Sequence, residues 1–287
     1  MIRCFVSDLD GTLLDGQASL TAESAAEIKA AVNCGYQFVI ASGRSQGSVD
    51  KLLTPYQINC VRILCNGALI LDGDNTVLYA KPLDTERIKA TTTVLSERNF
   101  DIQLYTSAGN AAFDAERIKQ RFVNSIMKER NMTQQQASAY IQERFFFDYE
   151  TIIENLDAYL AKNPVIYKLE AYCDNEVQLY EAIQALSPIA KLDVNIAGLG
   201  LEITDIDAQK GIALDWLTQK LGLRNDEVAV FGDGMNDRMM LERYVHSYVP
   251  ENATAEVKAF GNHVIGSHKD QSVAKTIKRI VTEQGSL

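Results

Sequence analysis

Hydrophobic and polar positions follow two alternating patterns at the start of the chain. Residues 2–8, "IRCFVSD", form a short apolar run with β-branched and aromatic content, as a buried strand requires. Residues 20–35, "LTAESAAEIKAAVNCG", carry apolar residues at helical spacing, with Thr21 placed as N-cap and Gly35 just past the end. "YQFVIASG" (36–43) predicts a second buried strand, "SQGSVDKLLTPY" (45–56) a second helix and "VRILCNGALIL" (61–71) a third strand. "LILDGDNTVLYAK" (69–81) predicts a hairpin around Asp72-Gly73-Asp74-Asn75. Strands alternating with helices imply βαβ units and a parallel sheet covered on both faces.

The pattern changes after Pro82. "FDIQLYTSAGNAAFD" (100–114) predicts a hairpin, and a polar helical stretch runs from about Asp114 to Arg144. A helix over "ETIIENLDAYLAKN" (150–163), a strand "VIYKLEAYC" (165–173) and a helix "NEVQLYEAIQALS" (175–187) follow, then strands "AKLDVNIAG" and "LGLEIT". Hairpins mixed with helices predict an antiparallel α+β module. From Asp205 the first style returns: helix "KGIALDWLTQKLG", strand "EVAVFGD", helix "NDRMMLERY", short strands "HSYVP" and "HVIGS", and a last helix from about Gln271. The expected architecture is an α/β, doubly wound parallel-sheet domain from residues 1–82 and 205–287, with an α+β domain inserted at 83–204.

Composition narrows the function classes. A net charge of −10 and a pI near 4.9 argue against nucleic acid or an anionic membrane as partner, and leave an anionic substrate in need of locally positive groups or a metal. Asp8 arrives before any long apolar region, so no signal peptide is expected, and no run approaches the ~20 apolar residues of a membrane span. The five cysteines are scattered without a CxxC, as buried thiols in a reducing cytoplasm would be.

The candidate chemistry sits where predicted strands end. "DLDGT" places Asp8 and Asp10 after the first strand, at the edge where open parallel sheets bind ligands. An Asp-Gly turn is the plainer alternative. A calcium loop is excluded, because the glycine falls at the fourth place, no helix precedes it and no glutamate closes it. "VFGDGMND" ends a second apolar strand in Asp233 and Asp237, separated by glycines and Asn236. If the two strand ends lie side by side, three carboxylates form a hard oxygen nest suited to Mg²⁺, which would neutralise their repulsion. Asp233 as a turn residue and Asp237 as a helix-start residue favoured by the dipole remain open. Lys210 lies at a helix start, where the dipole disfavours a cation. Lys210 and the adjacent Gly211 both make sense if an anion sits there, although a solvated surface lysine fits as well. Ser42 and Gly43 in "VIASGRS" offer a hydroxyl and backbone N–H groups to a phosphate, or a simple helix cap; Arg44 reaches a phosphate or ties down its loop.

These four stretches, in this order, resemble the haloacid dehalogenase superfamily of phosphohydrolases: "DLDGT", Ser42, Lys210 and "GDGMND" match its four motifs. The insertion looks like the class IIB cap of Cof-like sugar-phosphate phosphatases. The resemblance implies Asp8 as nucleophile and Asp10 as general acid/base. It also implies Mg²⁺ held by Asp8, the Asp10 backbone carbonyl and Asp233. Ser42, Gly43, Lys210 and Asn236 would bind phosphate, with Thr12 and Asp237 in support. Many relatives carry "MGNA" where this chain has "VPENA" (249–253), a departure that bears on substrate identity. The expected function is Mg²⁺-dependent hydrolysis of a small phosphorylated metabolite through an aspartyl phosphate. A sugar phosphomutase and a non-catalytic Mg²⁺/phosphate-binding regulator are the alternatives.

Overall fold

The computed structural model describes residues 1–144 and 149–285. The chain divides into two compact units. The first comprises Met1–Arg44, Val49–Ala80 and Ala208–Leu287; the second comprises Ser45–Ser48 and Lys81–Asp207. In chain order the strands are β1 (Cys4–Ser7), β2 (Gln37–Ala41), β3 (Val61–Leu64), β4 (Leu69–Leu71), β5 (Val77–Ala80), β6 (Asp101–Thr106), β7 (Gly109–Ala112), β8 (Thr151–Ile152), β9 (Ile166–Tyr172), β10 (Leu192–Ala197), β11 (Gly200–Asp205), β12 (Val228–Phe231), β13 (His246–Pro250) and β14 (His263–Ile265).

The first unit is built on one sheet of order β14-β13-β12-β1-β2-β3-β4-β5. Strands β14 through β3 are parallel, and β4 and β5 extend the sheet antiparallel. β1 and β12 are buried along their whole length, which explains their unbroken apolar runs. Cys4 and Val6 face a core that includes Leu214 and Leu217 of helix Lys210–Leu221 and Met240 of helix Arg238–Arg243. Phe5 points the other way and stacks on Tyr36, so the sheet is covered on both faces. The chain leaves β1 for β2 on one side and later returns to β12 on the other. This reversal of strand order opens a crevice at the carboxyl ends of β1 and β12.

The second unit holds a sheet of order β10-β11-β9-β6-β7-β8, antiparallel except for the β7–β8 pair. One face is apolar: Ile102, Leu104, Leu169, Ala171, Leu201 and Ile203 pack with residues of helices Thr85–Ser96 and Glu176–Leu186. The alternate positions carry Gln103, Tyr105, Lys168, Glu170, Tyr172 and Glu202.

Three local expectations are corrected. The stretch 61–71 is two antiparallel strands and not one, because Cys65, Asn66 and Gly67 turn back with φ of 52°, 57° and 102°. The expected helix over 150–163 begins only at Leu156, after β8. Asn155 caps it by accepting from the Ala158 N–H at 2.9 Å, and Thr151 and Ile152 pair with β7 instead. The polar stretch 114–144 is two helices, Ala115–Arg130 and Gln134–Arg144, parted where Asn131 takes φ 51°. Among the described residues no helix is long and apolar enough to cross a membrane.

Candidate active site

The site lies wholly within the first unit and is built from the ends of parallel strands. Asp8 follows β1, and its N–H donates to the Phe231 carbonyl at 3.0 Å, continuing the β1–β12 pairing past the last strand residue. Ser42 follows β2, and its N–H donates to the Ile63 carbonyl at 2.8 Å. Sheet pairing thus brings together residues 34 and 225 positions from Asp8 (42 − 8 and 233 − 8).

After Asp8 the chain makes a tight turn over Leu9–Leu13 in which Gly11 takes φ 72°. A Cβ on Gly11 would stand 2.1 Å from the Asp233 carboxylate, so this position needs glycine for both conformation and space. The close approach is fastened by Thr12, whose hydroxyl donates to Asp233 Oδ1 at 2.8 Å. Asn252, in the stretch that departs from the family pattern, donates to the Gly11 carbonyl at 2.8 Å.

Lys210, at the first position of its helix, is fully buried. Its Nζ donates to Asp8 Oδ1 at 2.7 Å and to Asp237 Oδ1 at 2.8 Å. Two carboxylates therefore compensate the unfavourable helix-end placement. Gly211 has a different reason from the anion expected of it: a Cβ there would meet Met239 at 2.6 Å, so it serves helix packing. Asp237 closes a short turn. Its Oδ2 accepts from the Asp233 and Gly234 N–H groups at 3.1 and 3.0 Å.

Asp8, Asp233 and Asp237 offer oxygens that all lie within 4.8 Å of one another, a set able to hold a metal ion. Burial pushes the Asp8 carboxyl well above its ordinary range; Lys210 opposes this, while Asp237, Asp233 and Asp10 reinforce it. Burial is also the main reason Asp233 is raised to about 6, with Thr12 opposing. Lys210 is held charged by Asp237 and Asp8 against its own burial. The cluster carries more negative charge than one lysine offsets, and so invites a cation.

Asp10 is not one of these three. Its exposed carboxylate is gripped by Arg44 in a fork, Nε to Oδ2 at 2.7 Å and a terminal nitrogen to Oδ1 at 2.6 Å. Arg44 thus ties a loop to Asp10. Ser42 is buried, and its Oγ accepts from the Arg44 N–H at 3.2 Å, as a cap would. Gly43 is half-buried in the same loop. Asn236 is half-buried and donates through Nδ2 to Asn66 Oδ1 at 3.1 Å. Asn66 and Asn252 were not singled out by sequence reasoning. An Asn-Gly pair inside an apolar run was the available signal for the first; for the second it was the stretch 249–253, set apart as a departure but read only for substrate identity.

Carboxylates, a buried lysine and a hydroxyl are thus gathered at the carboxyl ends of a doubly wound sheet. A family model for haloacid dehalogenase-like hydrolases matches residues 5–277, and the chain belongs to that family. It is similar to the 5-amino-6-(5-phospho-D-ribitylamino)uracil phosphatase YwtE of Bacillus subtilis, with 29% identity over 99% of each chain. It also resembles phosphatase YwpJ of the same organism, with 25% identity over 98% of this chain and 100% of the other. A solved haloacid dehalogenase-like hydrolase from B. subtilis superposes with a TM-score of 0.85 at 21% identity, covering 97% of this chain and 100% of that one. The protein is a phosphatase of this family.

Proposed function

We propose that the protein is a Mg²⁺-dependent phosphatase that hydrolyses a small organic phosphomonoester through a phosphoaspartyl intermediate on Asp8. The observation that supports this most is the buried Asp8 carboxylate, paired to Lys210 and crowded by Asp233 at the crevice of the sheet. The donor set fits Mg²⁺: hard carboxylate oxygens, clustered and proton-hungry. Asp8 and Asp233, with the Asp10 backbone carbonyl, would hold the ion. Asp237 is already engaged through both oxygens and supports the loop instead. When bound, the ion neutralises charge on the transferring phosphoryl group.

The chain's own residues perform the remaining work. An Asp8 oxygen attacks phosphorus in line, the bond from phosphorus to the leaving oxygen breaks, and Asp10 gives that oxygen a proton. Asp10 then takes a proton from water as the water attacks phosphorus, which releases inorganic phosphate and restores Asp8. Lys210 Nζ, the Ser42 hydroxyl, the Gly43 N–H and the Asn236 carboxamide bind phosphoryl oxygens, and positioning dominates the rate. Thr12 holds Asp233 in place. Because all these groups lie in the first unit, we assign substrate choice to the inserted unit. A cytoplasmic location is consistent with five cysteines that form no disulfide among the described residues.

The test is phosphate release from an aryl phosphate, then from a panel of phosphorylated metabolites. The panel should include sugar phosphates and 5-amino-6-(5-phospho-D-ribitylamino)uracil, the compound for which YwtE is named. Chelation should switch release off and added Mg²⁺ should restore it; full activity in chelator overturns the metal assignment.

A further inference from the structure

The turn over Cys65–Gly67 is the most unusual stretch of backbone in the first unit. Three consecutive residues are left-handed, two of them non-glycine, with φ of 52°, 57° and 102°. L-residues avoid this region, and it persists only where surroundings impose it. Here the surroundings are the loops that carry the proposed phosphate-binding groups. The Cys65 N–H donates to the Arg44 carbonyl and the Asn66 N–H to the Ser42 carbonyl, each at 3.1 Å. A Cβ on Gly67 would lie 2.5 Å from the Gln209 carbonyl group and 2.9 Å from the Lys210 nitrogen. The Asn66 side chain, 2% exposed, accepts from Asn236 Nδ2 at 3.1 Å. One turn therefore touches the loops of Ser42, Lys210 and Asn236 at once.

We propose that Asn66 is a positioning residue for catalysis: its carboxamide oxygen sets the plane of the Asn236 carboxamide that faces the transferred phosphoryl group. This rests on the phosphatase reading above. A carboxamide has two N–H donors and one oxygen, and rotation about its last torsion is soft. When Asn66 Oδ1 takes one N–H of Asn236, that torsion is fixed and the second N–H has a defined direction. The other side of the group is confined as well. A Cβ on Gly234 would stand 2.6 Å from Asn236 Oδ1, so the bare glycine makes room for this orientation. Asparagine suits position 66 twice over, because it tolerates the left-handed backbone and supplies the accepting oxygen.

The experiment separates the side chain from the turn. Asn66→Gly keeps a left-handed backbone and removes the oxygen, whereas Asn66→Ala also strains the turn. Asn66→Gly, Asn236→Ala and the double variant are compared with wild type by kcat/KM for 4-nitrophenyl phosphate with Mg²⁺, by inhibition with inorganic phosphate, and by thermal melting. Asn66→Gly should lower kcat/KM about tenfold and weaken phosphate inhibition by a similar factor. The double variant should be no worse than Asn236→Ala by more than about twofold, because Asn66 acts through Asn236. Multiplicative losses, or a wild-type Asn66→Gly enzyme, overturn the proposal. A loss that tracks a lowered melting temperature and leaves phosphate inhibition intact does the same. Failure of the phosphatase reading has a different signature: the wild-type protein itself releases no phosphate.

Discussion

Each unit buries one lysine completely between two carboxylates. In the first unit Lys210 lies 2.7 Å from Asp8 and 2.8 Å from Asp237; in the second Lys168 lies 2.6 Å from Glu170 and 2.7 Å from Glu202. The two triads differ in what else surrounds the acids. Glu170 Oε2 also accepts from the Tyr105 and Tyr172 hydroxyls and from Gln103 Nε2, at 2.8, 2.5 and 2.5 Å. Burial pushes its carboxyl up, but Lys168 and the two hydroxyls outweigh this and hold it below the ordinary range. Asp8 has the opposite balance, with burial and three further carboxylates pushing it up and Lys210 opposing them. A buried lysine–carboxylate contact thus has two meanings. Where donors saturate the acid, the network specifies packing. Where acids outnumber donors at a sheet crevice, the surplus negative charge is available to a cation.

The largest expected effect strikes the first triad. Asp8→Asn should cut turnover by about four orders of magnitude or more, since the amide is no nucleophile. Rapid-quench labelling should find no phosphoprotein; a normal burst would move the nucleophile elsewhere. For the second triad the effect is on stability. Lys168→Met leaves the buried Glu170 and the half-buried Glu202 without their cation and should cost about 3–5 kcal/mol in urea unfolding. An unchanged midpoint would mean that the network is not structural.

A third test probes the group outside either triad. If Arg44 orients Asp10 as proton donor, Arg44→Ala should lower kcat/KM for an alkyl phosphate about 100-fold, because its leaving oxygen needs the proton. For 4-nitrophenyl phosphate the loss should stay within about fivefold, because that leaving group departs without help. Equal losses would make Arg44 a phosphate ligand instead.

The smallest effect concerns pH. Folding raises the Asp233 carboxyl from its ordinary 3.8 to about 6, so the folded state binds its proton more tightly than the unfolded one. Metal-free stability from this group is therefore greatest in acid and declines as pH rises from about 4 to about 6. Mg²⁺ should raise the melting temperature by a few degrees at pH 7.5 and by much less at pH 5. In chelator at pH 7.5, Asp8→Asn should melt higher than wild type and Glu170→Gln lower. Both variants moving the same way would erase the distinction between the triads.

Several elements were legible because they depend on neighbours in sequence. Thr21 caps its helix by accepting from the Ser24 N–H, as its position implied. The buried runs 4–7 and 228–231 are strands, and the turn at 72–75 joins a hairpin. The misread segments were those in which a local signal competed with a stronger periodic one. At 61–71 the apolar run outweighed an Asn-Gly turn, and at 150–163 helical spacing outweighed the β-branched start and the Asn155 cap.

The sequence by itself determined the inventory: which strands end in carboxylates, which loops carry small or hydroxyl residues, and the order of the four motifs. Those are properties of residue type and short-range spacing. Only the tertiary structure decided the partners. Arg44 pairs with Asp10, Asn236 with Asn66 and Asn252 with Gly11. Gly211 answers to Met239, and Lys210 and Lys168 occupy triads of opposite balance. The contacts of Arg44 with Asp10, Asn236 with Asn66 and Asn252 with Gly11 join residues 34, 170 and 241 positions apart. Side-chain hydrogen bonds and charge interactions act over a few ångströms in space, so their partners exist only once the sheet has brought its strand ends together.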